Sequence, residues 1–429
     1  VAQASRLTAT EERSRASTGG IAPPVRMHVS EKNIHPFSSL LPSKAAKYYD
    51  ARIDFFRGLA LIFIFINHIP ENTFSYFTSR TVTLFDSAEV FMFLAGYSAA
   101  LSYFSLAPLG IQPIAKKALK RARTILCHHL VLLALLMPAA FVISEAFGVK
   151  TGYEVFFDKI GTDPLQVAIA APLLGFQAPL LDILPMYVVV MLIAPFLIWL
   201  RSQSEAALLV ASGLMWMFAT KFIPAIPTIT YDVSWNFNPF CWQFLFAIGL
   251  MFGWRTKTAA PAFAEGAGQR TLDLCCGFFV AFSAIVSLTI FFQAFDDAAA
   301  SRLRAMYFTL NKQCLDIWRV AGLLATAYLM SRVVSRSADW LKSPAARWVS
   351  AAGASSLPIF SLTVVLSFAG KFVTQAFGGV AIADGAVTGL GVTIIIAVAL
   401  ALRGRIVQSI LDNLYHFMRL RISAAPQTR

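Results

Sequence analysis

The stretch RIDFFRGLALIFIFINH, residues 52–68, decides how this chain is read. It is an apolar run with an arginine inside its start, Arg57, and a histidine at its far end, His68. On an α-helix the residues from Arg57 to His68 turn through three full turns plus about 20° and rise about 16 Å, so both side chains share one face. An ionisable group in a lipid-spanning helix costs roughly 2.5 kcal/mol or more, so two on one face point to a protein-lined cavity rather than to lipid. The bland alternative lets Arg57 snorkel to the nearer headgroups while His68 rests at the far interface.

The next apolar segment favours the cavity. DSAEVFMFLAGYSAALSYF, residues 86–104, places Asp86 and Glu89 three apart and therefore on one helical face. In an antiparallel hairpin these carboxylates reach the depth of His68. A carboxylate beside an imidazole fixes its tautomer, as a general base requires.

Arg57, the ten-residue spacing to His68 and the following FMFLAGY segment together resemble the acyltransferase-three superfamily of membrane O-acyltransferases. RIDFFRGLALIFIFINH with DSAEVFMFLAGY is more narrowly similar to the OpgC family, implicated in succinylating osmoregulated periplasmic glucans. The likeness continues through LDILPMYVVVMLIAP (181–195), FNPFCWQFLFAIG (237–249), KQCLDIWR (312–319) and SSLPIFSLTVVLSF (355–368). It covers residues 50–405. It implies an acyltransferase of the bacterial inner membrane that moves an acyl group, succinyl first, from cytoplasmic acyl-CoA to hydroxyls of a periplasmic glucan.

Composition agrees with a membrane protein. Of 429 residues 57% are hydrophobic and only 14% charged, with a mean hydropathy of +0.64. So few charges do not clothe a soluble surface, and the expected fold is an all-α polytopic integral membrane protein. The net charge of +13 invites a nucleic-acid reading. Its basic residues, however, are divided among short loops between apolar runs, which is a topology signal rather than a binding patch.

Hydropathy marks about ten spans, near 52–70, 84–104, 124–147, 182–200, 206–223, 237–254, 273–294, 315–331, 355–376 and 386–402. Residues 1–49 read as a disordered cytoplasmic tail and 406–429 as a basic one, flanking a membrane domain at 50–405. Most of the 36 lysines and arginines fall on one side of this arrangement, which puts both termini in the cytoplasm and turns His68 toward the outer face. The apolar patch LQVAIAAPLLGF, 165–176, is too short to span and is expected at the interface or re-entering among the helices. No internal repeat is visible, which weakens an inverted-repeat transporter.

Acyl transfer across a membrane needs a site for an anionic donor, a base beside the acceptor hydroxyl and a path between them. On this reading coenzyme A threads along the Arg57 to His68 face, with Arg57 on its phosphate or pantetheine portion. His68, oriented by Asp86 or Glu89, takes the hydroxyl proton, either in direct transfer or around a transient acyl-His. Arg319, inside the eighth span, has Asp316 three residues earlier as its local ion-pair partner. The sharper reading gives Arg319, or Lys312 near the outer end, the free carboxylate of a succinyl group.

WNFNPFCWQ, 235–243, opens the sixth span at the outer face. An aromatic anchor explains it, yet Trp235, Asn236, Asn238, Trp242 and Gln243 also suit the ring faces and hydroxyls of a glucose unit. Five cysteines without metal or disulfide spacing read as buried apolar groups. Cys127, His128 and His129 are adjacent and so splay about 100° apart on a helix, and no metal is expected. His128, His129 and His416 belong near cytoplasmic span ends, and Ser355 and Ser356 at a helix start. The rivals are acetylation of another envelope polysaccharide or lipid-linked sugar, and a proton-coupled transporter or exporter using His68, Asp86, Glu89 and Arg319 as a relay. A non-catalytic scaffold leaves the Arg57 and His68 face without a purpose.

Overall fold

The first long helix, α1 (Ala51–Asn67), starts where the sequence supplies a cap. The Asp50 carboxylate accepts the Arg52 backbone N–H, satisfying one of the donors orphaned at a helix start. The computed structural model describes residues 50–70, 72–148, 152–230, 234–258, 267–292, 311–335, 338–376 and 381–404, all within one compact unit. The long helices that follow are α2 (Ser87–Tyr103), α3 (Ile111–Phe147), α4 (Ile183–Gln203), α5 (Glu205–Phe222), α6 (Pro239–Lys257), α7 (Ala267–Phe292) and α8 (Ile317–Val333). The eleven-residue α9 (Pro344–Ala354) then precedes α10 (Ser356–Ala376) and α11 (Ala381–Arg403). Among the described residues there is no strand, only an isolated bridge between Pro227 and Ser234.

Among the described residues seven helices are long and apolar enough to cross a membrane: α2 with its 3-10 continuation to Leu109, α3, α4, α5, α7, α10 and α11. The fold is therefore all-helical and polytopic. The other expected spans correspond to α1, α6 and α8. Helices α1 and α8 have 17 residues each, a rise of about 25 Å that falls short of a hydrocarbon core of about 30 Å. Helix α6 is less apolar, with Gln243 inside it and Arg255 and Lys257 in its last turn. The two expected tails, 1–49 and 406–429, and His416 lie outside the described residues.

Backbones approach most closely where side chains are missing. A Cβ on Gly96 would run into the Phe246 carbonyl, and one on Gly249 into the Phe93 carbonyl, so α2 and α6 lie in direct main-chain contact. The same device joins α1 to α9: Gly58 faces the Val349 carbonyl and Gly353 the Asp54 carbonyl. Small residues at helix crossings replace the hydrophobic drive that lipid removes, because close approach recovers dispersion contact. Around these crossings Leu61, Phe65, Met92, Trp242 and Phe246 are fully buried.

Two departures from the expected spans matter. Helix α3 runs for 37 residues and passes through Pro138 without ending, so its basic first part continues the helix, about 55 Å in all. The 165–176 patch forms a short helix, Pro164–Ala170, followed by irregular backbone in which Leu174 and Leu180 take positive φ of 65° and 69°. That backbone is tied down where the Ile229 N–H donates to the Gly175 carbonyl at 2.9 Å.

Candidate active site

His68 terminates α1 and is exposed. Its Nδ1 lies 2.6 Å from the carbonyl oxygen of Ile64, one turn back. A carbonyl oxygen only accepts, so Nδ1 carries a proton, and in the neutral ring the lone pair falls on Nε2. This replaces the expectation that Asp86 or Glu89 orients the ring, because both carboxylates are engaged elsewhere. Asp86 Oδ1 accepts the Ala88 N–H at 2.8 Å and Glu89 Oε2 accepts the Asp86 N–H at 3.0 Å, a reciprocal capping box that starts α2.

The remaining oxygens of that box hold two cations. Lys312 Nζ is 2.6 Å from Asp86 Oδ2, Arg319 Nε is 2.5 Å from Glu89 Oε1, and Arg319 Nη2 is 3.7 Å from Asp86 Oδ2. Burial opposes the charge on Lys312, but Asp86 and Glu89 outweigh it and raise its pKa above the ordinary value of 10.5. The ammonium therefore stays charged through neutral pH. Asp316 is not the partner of Arg319: its carboxylate accepts the Trp318 N–H at 2.9 Å and caps α8.

Two cavities lie on either side of the turn that carries Phe85 and Ser87. A polar one of about 510 Å³ is lined by His68, Arg80, Asp86, Asp182, Lys312 and Arg319, among others, and by the irregular backbone at Pro179 and Leu180. Non-helical main chain at membrane depth is tolerated where it lines such a space. An apolar one of about 740 Å³ runs between α1, α2 and α8, from Arg52, Thr256 and Ser335 at one end to Thr83, Phe85 and Ser87 at the other. Phe85 and Ser87 belong to both walls.

Arg57 lines neither cavity. Its guanidinium donates to the carbonyls of Gly353 at 3.3 Å and Leu94 at 3.4 Å and to the Ser98 hydroxyl, and pairs with Asp54. It clamps α1 to α2 and α9. The face it shares with His68 is filled by Leu61 and Phe65. The open groove lies on the face carrying Arg52, Phe56, Leu59 and Phe63, about 130° around the helix from Arg57. The route expected along the Arg57 face is corrected accordingly.

A family model described as OpgC protein matches residues 49–405. The chain belongs to the OpgC family. Every residue lining the two cavities lies inside the matched span. OpgC membership supports a glucan-modifying acyltransferase function in general terms, carried by a multi-pass membrane protein. No curated protein and no solved structure is matched.

In this OpgC-family chain the 235–243 segment divides. Asn236 lines the polar cavity, with its amide donating to Asp182 at 2.7 Å. Trp235, Asn238, Trp242 and Gln243 are buried and do not line it. The Asn238 carboxamide caps α6, and Gln243 bonds Ser212. Trp242 Nε1 donates to the Lys312 carbonyl at 3.1 Å and the Asn238 N–H to the Gln313 carbonyl at 2.9 Å. Trp242 and Asn238 therefore brace the loop that presents Lys312, while Gln243 ties α6 to α5.

Sequence reasoning missed Arg80, Asp182 and Gln313 in the cavity wall. Asp182 had a signal, since it sits in a quoted family segment, and Arg80 is a basic residue in the short loop between the first two spans. His128 Nδ1 pairs with the Ser361 hydroxyl at 2.8 Å and His129 is fully buried, both away from the two cavities. Ser355 follows α9, and its carbonyl accepts the Ile359 N–H of α10. Among the described residues no group of three or more His, Cys, Asp or Glu is placed to hold a metal ion.

Proposed function

We propose that the protein transfers an acyl group, succinyl in the first instance, from acyl-CoA on the cytoplasmic side to a hydroxyl of a periplasmic glucan. The observation that carries this reading is the wall that an apolar and a polar cavity share at Phe85 and Ser87, the polar one also lined by a histidine whose Nε2 has no partner among the described residues. The apolar cavity suits the pantetheine arm and acyl chain, with polar groups at Arg52, Thr256 and Ser335 toward the nucleotide. The polar cavity suits a sugar.

The reaction then balances without a further reactant. The sugar oxygen attacks the thioester carbonyl carbon, its proton passing to His68 Nε2. The C–O bond forms, the C–S bond breaks, and the proton is returned to the departing sulfur, leaving an ester and free CoA thiol. Of the cations in the polar cavity, Lys312 and Arg319 are already paired with Asp86 and Glu89. Arg80 has no hydrogen bond or ion pair among the described residues, and we assign it the free carboxylate of the succinyl group.

The test is the mass of periplasmic glucans from cells with the wild-type protein, with His68→Ala, and without the protein. Succinyl increments that need both the protein and His68, with His68→Ala still present in the membrane, are the expected result. Increments retained by His68→Ala would overturn the role of the base, and acetyl increments would replace succinyl.

A further inference from the structure

Ser87 is the first residue of α2 and stands in the wall shared by the two cavities. The residue is 2% exposed, and among the described residues its hydroxyl has no hydrogen-bond partner. A buried polar group without a partner is uncommon enough to need a reason. The neighbouring donors are spoken for: the Ala88 N–H goes to Asp86 and the Asp86 N–H to Glu89. The hydroxyl of Ser87 stands at the positive end of a helix, in the wall that the two cavities share.

We propose that Ser87 is a catalytic residue that donates a hydrogen bond to the thioester carbonyl oxygen as that oxygen gains charge, an inference that rests on the acyltransferase reading. A serine hydroxyl turns between staggered positions about one bond, so presenting its hydrogen needs no movement of the backbone. When the sugar oxygen adds, the C=O electron pair moves onto the carbonyl oxygen. Ser87 stabilises it there, and the pair returns as the C–S bond breaks. His68 holds the sugar proton meanwhile, so Ser87 gains and loses none. A donor dry and unpaired beforehand favours the charged intermediate over the ground state, which is the condition for lowering the barrier.

The experiment uses the full-length protein in proteoliposomes, with succinyl-CoA or acetyl-CoA and a glucan oligosaccharide acceptor. Ser87→Ala should lower kcat about 10²-fold, leave KM for acyl-CoA within about twofold, and do so equally for both donors, since both carry the same carbonyl. Ser87→Thr, which keeps the hydroxyl, should recover most of the rate. A Ser87→Ala enzyme within about threefold of wild-type kcat, or a Thr variant no better than Ala, overturns the assignment. Absence of CoA-dependent transfer by the wild type overturns the acyltransferase reading and this inference with it. Transfer by the wild type with an unimpaired Ser87→Ala overturns Ser87 alone.

Discussion

Glu89 and Arg319 are both buried and paired with each other, and Asp86 stands within reach of the same guanidinium. Removing one partner of such a pair costs about 3–5 kcal/mol, because a charge is left uncompensated in a poor solvent. That locks Arg319 into structure and leaves Arg80 as the cation able to serve a ligand. Arg80→Gln should therefore reduce kcat/KM for succinyl-CoA by about tenfold or more, the worth of a charge-assisted hydrogen bond, while acetyl-CoA is unaffected. Equal losses with both donors would remove Arg80 from acyl recognition. At this scale the sequence was half legible. The shared face of Arg57 and His68 followed from helical geometry, whereas Asp86 and Glu89, expected to orient His68, form the capping box of α2 instead. What misled was distance: local spacing offered Asp316 to Arg319, but Asp316 spends its oxygen on a helix cap and the true partners come from 230 residues away.

Helices were easier. Apolar runs located α1, α2 and the later long helices, with α7 and α11 starting several residues earlier than expected, α3 beginning well before its apolar part and α9 not foreseen. Hydropathy sees lipid contact, whereas α9, with Gly353 and several alanines, earns its place by letting α1 come near. Glycine contacts give the sharpest element-scale test. Gly249→Ala forces a methyl into the Phe93 carbonyl, an overpacking that costs about 1–3 kcal/mol. Gly277→Ala in α7 has nothing within 4 Å and should be neutral or stabilising, as alanine is the better helix former. Thermal unfolding in detergent separates them. If both variants melt alike, α2 and α6 do not pack through main-chain contact.

Across the whole molecule, the family and the class of fold were readable, but the path through it was not. Sequence spacing says which side chains share a helix face and not which face its neighbours leave open, and here Leu61 and Phe65 close the one that carries Arg57. The groove beside Phe56 and Phe63 is a product of how α1, α2 and α8 diverge. That groove stops at Phe85, where the polar cavity begins. On the proposed reading, a carrier held in the first and an acceptor in the second exchange the acyl unit for the hydroxyl proton, so a dicarboxylic acyl unit exports one negative charge while its carrier stays behind. An inside-negative voltage drives that charge outward by about 2.3 kcal/mol per 100 mV when the whole field is crossed. Acetyl brings no such charge. In vesicles with an imposed diffusion potential, succinyl turnover should quicken relative to acetyl turnover and fall back when an ionophore collapses the gradient. An equal response from both would mean the carboxylate never travels through the field.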